Sequence, residues 1–285
     1  MNQISFAFFG STQYSRELLL FLINNSMLPK VIFAMPQYFN ISYSQDKIKN
    51  INYFNFYDIA NEYNIPYYEI NSTKGQKIND YFLIIQELNL DLILVLGWYY
   101  MLPRTIRDLS KLGAWGIHAS LLPKYAGGAP LNWAILCGET RTGVTLFKMD
   151  DGVDDGDIIA QKSFAIDHKD SIKEVYSKAT IASKYILNQT LSNINNVQFK
   201  KQNKLDIETF PQRSPQDGDI NWDSKAREIY NFIRAQTLPY PCAFSYLNKQ
   251  KIKILNSIMT TISSVNYKYG KIVFMFNKTL ESTRS

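Results

Sequence analysis

Cysteine is scarce. Cys137 and Cys242 are the only two in 285 residues, too few for a disulfide framework, and their apolar surroundings suit core packing, so a reducing, cytoplasmic setting is expected. Histidine is equally rare. His118 and His168 stand alone, and without a His/Cys cluster at ligand spacing the sequence predicts no metal site. No apolar run reaches membrane-spanning length. The first residues open a strand pattern at 4–9 in place of a basic lead and cleavable apolar core, so neither export nor membrane insertion is expected. Excess charge is modest. With 31 Lys+Arg against 25 Asp+Glu, the net charge of +6 is compatible with an anionic substrate, but the Lys, Asn, Ile and Tyr richness equally fits a biased genome.

What is present is a core-forming chain. At 46% hydrophobic it can bury a substantial interior, as one large domain or one domain with a small appendage. Strand patterns at 4–9, 30–35, 66–70 and 90–96 alternate with helical patterns at 14–25, 56–63 and 76–88. That alternation predicts an α/β fold with a doubly wound, mainly parallel sheet, whose ligands sit outside the carboxyl ends of the strands. A long helix at 171–191 closes the main domain, so the expected division is 1–200 for that domain, 201–216 for an extended linker, and 217–285 for a helix and small β module. The polar end, 277–285, is expected to fray.

The stretch 113–159 concentrates reactive residue types. An apolar strand pattern at 114–117 delivers His118 to its carboxyl end. A loop with Gly127-Gly128 follows, then a helical pattern from Pro130 to Cys137 and a further strand at 143–149. The turn after it, 150–157, holds five carboxylates and two glycines, a crowding of like charge that costs stability unless something uses it. A histidine at one strand end with carboxylates on a later loop is what general acid–base chemistry needs. Taken singly, each of these residues also reads as a satisfied structural histidine or a solvated acidic turn.

Read in order, His-x-Ser-Leu-Leu-Pro-Lys-Tyr from His118, Gly-Glu-Thr-x-Thr-Gly-Val-Thr from Gly138, and Asp-Gly-x-Asp-x-Gly-Asp from Asp151 resemble the folate-dependent formyltransferases. The run from Ile233-Arg234-Ala235 to Pro239-Tyr240-Pro241 extends the likeness to about residue 255. The resemblance implies a Rossmann-like formyltransferase fold, N10-formyltetrahydrofolate as formyl donor and no metal. It also implies that His118 shuttles the proton shed by an attacking amine while Asp154, 36 residues on, orients it. It assigns the pterin to Tyr100, Met101, Leu102, Asp150, Asp151, Gly152 and Val153. One departure stands out. The family carries a catalytic Asn two residues before the histidine, where this chain has Gly116. Either the backbone, a water or another residue such as Asn132 supplies the missing donor, or activity is impaired; an oxyanion donor of this kind is worth about 2.7 to 4 kcal/mol.

The amine acceptor divides the family. Methionyl-tRNA formyltransferases resemble this chain but carry a basic loop after the second strand. The matching stretch here, 36–55, has only Lys47 and Lys49, a poor basis for RNA binding. The Ala129-Pro130-Leu131-Asn132-Trp133 wording and short C-terminus resemble the sugar-nucleotide branch. The expected substrate is therefore a nucleotide-linked amino sugar for a surface polysaccharide, with dTDP-4-amino-4,6-dideoxyglucose as a candidate and Ser11, Thr12 and Lys77 near its pyrophosphate. Dimers are common in that branch, so a homodimer is expected. A methionyl-tRNA formyltransferase and a catalytically impaired folate- or nucleotide-binding homologue are the alternatives.

Overall fold

A computed structural model describes residues 4–39, 47–71, 77–260 and 271–274. Residues 73–75, part of the 36–55 stretch and residues 277–285 lie outside the described residues. The chain forms two compact units, one made of Met1–Gly127, Gly143–Phe164 and Ser177–Phe210, the other of Gly128–Thr142, Ala165–Tyr176 and Pro211–Ser285.

The first unit is built on β1 (Phe6–Phe9), α1 (Gln13–Asn24), β2 (Val31–Ala34), α2 (Tyr57–Glu62), β3 (Tyr67–Glu69), α3 (Phe82–Glu87), β4 (Leu92–Val95), α4 (Arg104–Arg107) and β5 (Ala114–His118). Two further strands, β6 (Arg141–Lys148) and β7 (Ile158–Ala165), follow the reactive loop. The seven-stranded sheet has the order β3-β2-β1-β4-β5-β6-β7. The first five strands run parallel, and β6 turns antiparallel against β5. The expected mainly parallel, doubly wound sheet is therefore observed. Its order reverses between β1 and β4, where ligands of such folds bind.

β1 is apolar on both faces because both are covered. Phe6, Phe8 and Phe9 are wholly buried, each burial stabilising by about 1.5–3 kcal/mol. α1 starts at a capping box in which Thr12 and Ser15 satisfy each other's backbone N–H, and it buries Leu18, Leu19, Leu22 and Ile23 at the spacing of one helical face. The helix expected over 76–88 is a 3₁₀ turn, Ile78–Tyr81, leading into the shorter α3. β7 was not foreseen. Its residues IIAQKSFA mix buried and exposed positions without alternation, as an edge strand allows.

In the second unit, α5 (Pro130–Leu136) and α7 (Ala226–Gln236) pack together, and Asn132 Nδ2 donates to Ala235 O at 2.6 Å. Ile220, Ile229, Ile233, Ala243 and Ile254 form its core. The expected small β module begins with two antiparallel strands, β8 (Ala243–Leu247) and β9 (Gln250–Ile254). They are joined at Asn248-Lys249, both with positive φ, the geometry of a tight hairpin turn. A second antiparallel pair, β10 (Ser257–Thr260) with β11 (Lys271–Phe274), completes the small β module. Arg213 lies 5.0 Å from the Trp133 ring centroid and 5.7 Å from that of Phe232, and burial holds its guanidinium below its usual range.

Candidate active site

β5 delivers His118 to its last position, and period-two alternation puts Gly116 on the same face. Opposite them on β6 stand Thr145 and Phe147. A Cβ at Gly116 would lie 3.3 Å from the Phe147 ring and 3.6 Å from Met149 Cγ, so apolar groups wall the space where a side chain would emerge. Asn132, the alternative donor, is buried in the second unit. Its amide is engaged with Ala235 O, and its Oδ1 has no partner among the described residues.

His118 is almost fully buried, with side-chain exposure of 9%. Its Nδ1 lies 3.3 Å from Asp154 Oδ2 and its Nε2 2.7 Å from the carbonyl oxygen of Tyr125. Both ring nitrogens thus face acceptors, and a neutral imidazole can donate to only one of them. The same Asp154 oxygen accepts the N–H of Gly127 at 2.9 Å, joining the loop after β5 to the loop after β6. Asp154 has φ +52, a left-handed conformation that persists only where the surroundings enforce it.

Four of the five carboxylates of the acidic turn meet partners, Asp150 and Asp151 sharing Arg107, which relieves part of the crowding read from the sequence. Arg107, buried in α4, pairs with Asp151, approaches Asp150 at 3.8 Å and donates to Met149 O at 2.8 Å. Lys204 reaches Asp155 at 3.1 Å, and that hydrogen bond holds the ammonium above its usual range. Gly156 admits no side chain, because a Cβ there would fall on the carbonyl oxygen of Lys148.

The remaining candidates separate. Leu102 belongs to the core, Met101 is exposed, and Tyr100 meets the rings of Phe39 and Trp98 edge-on. Asp150, Asp151 and Val153 are exposed, while the Asp155 carboxylate folds over Gly152. Ser11 and Thr12 sit at the switch point after β1 but are buried. Ser11 Oγ accepts from Met35 N at 3.1 Å, and Thr12 caps α1. Lys77 is exposed, and its backbone N–H donates to Asp80.

Residues 5–191 match the family model described as Formyl transferase, and residues 212–280 match Formyl transferase, C-terminal domain. The chain belongs to this family. It is 39% identical over 228 residues to the bifunctional polymyxin resistance protein ArnA of Wigglesworthia glossinidia brevipalpis, covering 78% of this chain and 34% of that protein. It is 34% identical over 201 residues to methionyl-tRNA formyltransferase of Thermodesulfovibrio yellowstonii, covering 70% of this chain and 64% of that one. The chain therefore spans less than two thirds of either relative. The same fold occurs in WlaRD, a sugar 3N-formyl transferase solved with dTDP and 5-N-formyl-THF (TM-score 0.64, 22% identity, 92% of this chain and 88% of that one). It occurs also in methionyl-tRNA formyltransferase from Clostridium thermocellum (TM-score 0.63, 18% identity, 96% and 100%).

Sequence reasoning missed Arg107, Tyr125, Gln202 and Lys204. A lone arginine on a short helix reads as solvated, and Tyr125 enters through its backbone, which no side-chain pattern signals. The stretch expected as a linker, 201–216, is tied to the acidic loop. Gln202 Nε2 donates to Asp154 O at 2.8 Å and to Gly156 O at 2.7 Å. Two buried acceptors at the acidic loop, Asp155 Oδ1 and Gln202 Oε1, lack partners among the described residues. The N–H donors of a reduced pterin fit those two acceptors.

Proposed function

We propose that this chain transfers a formyl group from N10-formyltetrahydrofolate to the amine of a nucleotide-linked amino sugar. The observation that carries the reading is the buried His118–Asp154 pair, 3.3 Å apart at the end of β5. Beside it, the buried acceptors Asp155 Oδ1 and Gln202 Oε1 lack partners among the described residues. The donor supplies an activated formyl carbon, held by the loops at Tyr100–Leu102 and Asp150–Val153.

As the acceptor amine attacks, the amine loses a proton and the departing folate nitrogen gains one. His118 carries that proton. Asp154 accepts from Nδ1–H, so Nε2, once turned from Tyr125 O to the reacting groups, takes the amine's proton on its lone pair and passes it to the folate nitrogen. With Gly116 in place of an amide, stabilisation of the developing oxyanion falls to backbone N–H groups or water.

The scarcity of cations in the 36–55 stretch, Lys47 and Lys49 alone, favours a sugar nucleotide over tRNA, because RNA affinity grows with the number of phosphate contacts. Lys49 is moreover placed 5.7 Å from the Tyr38 ring. Ser11, Thr12 and Lys77 lie on the proposed pyrophosphate side, with Lys77 the exposed one of the three. The likeness to methionyl-tRNA formyltransferase supports the second reading.

The test is formyl transfer from N10-formyltetrahydrofolate to a panel of dTDP- and UDP-amino sugars, with methionyl-tRNA alongside and His118→Ala as control. Turnover of a sugar nucleotide that vanishes in His118→Ala supports the proposal. Turnover of methionyl-tRNA alone replaces it with the second reading, and donor binding without turnover on any amine identifies an impaired homologue.

A further inference from the structure

We propose that residues 200–210 form a positioning strap for the His118–Asp154 pair, and that Gln202 is the positioning residue through which the strap sets Asp154; the inference rests on the formyl-transfer reading above.

The strap engages the start of β7 and the acidic loop at three successive points. Lys200 and Ile158 exchange two backbone hydrogen bonds, each 2.8 Å. Gln202 then places both hydrogens of one amide on carbonyls two residues apart, Asp154 O and Gly156 O, exhausting its donors. Lys204 pairs with Asp155. Farther along, the same segment engages the other side of the pair. Ala126 N donates to Glu208 O at 2.9 Å, Glu208 N to Pro123 O at 3.2 Å, and Phe210 stacks on Tyr125 with centroids 4.8 Å apart. One short run of chain therefore grips the loop that carries Asp154 and the loop whose carbonyl holds His118 Nε2.

Gln202 is singled out by what its bonds constrain. Asp154 occupies a left-handed backbone conformation that needs external enforcement. Its carboxylate must serve His118 Nδ1 and Gly127 N at once. A rotation of the Asp154 peptide would aim the carboxylate away from both, and the Gln202 amide holds the carbonyl of that same residue. Misplacements of this size change rates by about 100-fold.

The experiment compares wild type, Gln202→Leu, Gln202→Lys and Asp154→Asn in the full chain by three readouts: melting temperature, ¹⁵N NMR titration of the histidine rings, and kcat and KM for formyl transfer. Only two histidines occur, so the His118 signal is assignable with one His168→Gln control. Gln202→Leu keeps the bulk without the donors. Its His118 titration is expected to shift toward that of Asp154→Asn, with kcat falling about 10- to 100-fold at little change in KM. Gln202→Lys, which restores a donor, is expected to recover part of both. A His118 titration identical to wild type in Gln202→Leu would overturn the proposal, even if the melting temperature fell. Should Gln202→Leu fail to fold, Gln202→Lys against Gln202→Met decides by the same titration. If wild type formylates none of the amines, the functional reading fails, and the titration alone still supports or sinks the strap.

Discussion

The carbonyl oxygen of Tyr125 lies 2.7 Å from Nε2 of His118, so the ring nitrogen turned away from Asp154 is already engaged. Proton transfer then requires an exchange of partners at Nε2. When donor and amine analogues bind together, the ¹⁵N signal of Nε2 is expected to move while that of Nδ1 stays near its free position. Movement of Nδ1 instead would mean that the ring reorients as a whole.

His118→Ala removes the proposed proton carrier. General acid–base groups contribute about 10²–10⁴-fold, so kcat/KM for formyl transfer should fall by at least about 10²-fold. Asp154→Asn keeps the shape but not the charge and should cost less. Steady-state kinetics on a turned-over substrate would expose the error if the order were reversed.

Gly116→Asn restores the family's residue but meets Phe147, whose ring must give by a few tenths of an ångström. The expectation is a folded chain with a lower melting temperature, because overpacking of this kind costs about 1–3 kcal/mol. Phe147→Leu should relieve the penalty, giving a coupling of about 0.5–3 kcal/mol in a double-mutant cycle. Simple additivity would show that the two positions are not in contact.

Gly156→Ala has no room at all, since the added carbon falls on Lys148 O. It should destabilise by about 2 kcal/mol or more and weaken formyl transfer together with stability. Gly138→Ala is also strained by its positive φ, but its nearest neighbour would be at an ordinary 3.5 Å, so it should lose stability without the same loss of kcat. Comparing melting temperature with kcat for the two variants separates a loop defect from a site defect.

Asp91 accepts hydrogen bonds from Lys111 Nζ and Ser5 N, the first being the larger cause of a carboxyl held below its usual range. A depressed folded value means that this contribution is present above the ordinary carboxylate range and is lost as pH falls through the depressed value. Asp91→Asn should therefore lower the melting temperature near neutrality and converge with wild type near about pH 3 or below. A gap that stays constant across this range would assign the effect to packing.

Much of the fold is legible in the chain. Phe6 to Phe9 and Leu92 to Val95 are apolar throughout because both faces of a parallel sheet are covered, and such runs separated by amphipathic helices admit few architectures. β7 escaped notice because an edge strand need not alternate. α3 came out short because its first turn is a separate 3₁₀ piece closed by Asp80 on Lys77.

By itself, the sequence determined the order of strands and helices, the arrival of His118 at a strand end, and a carboxylate-rich turn containing Asp154. These follow from local periodicity and residue type. Only the tertiary structure decided that Phe147 walls the space over Gly116 and that Arg107 and Gln202 hold the acidic loop. Those contacts join residues 42 and 48 positions apart. A single arginine or glutamine carries no periodic signal, and its partners are backbone carbonyls that every residue possesses, so such pairings are set only when the folded chain brings them within hydrogen-bond reach.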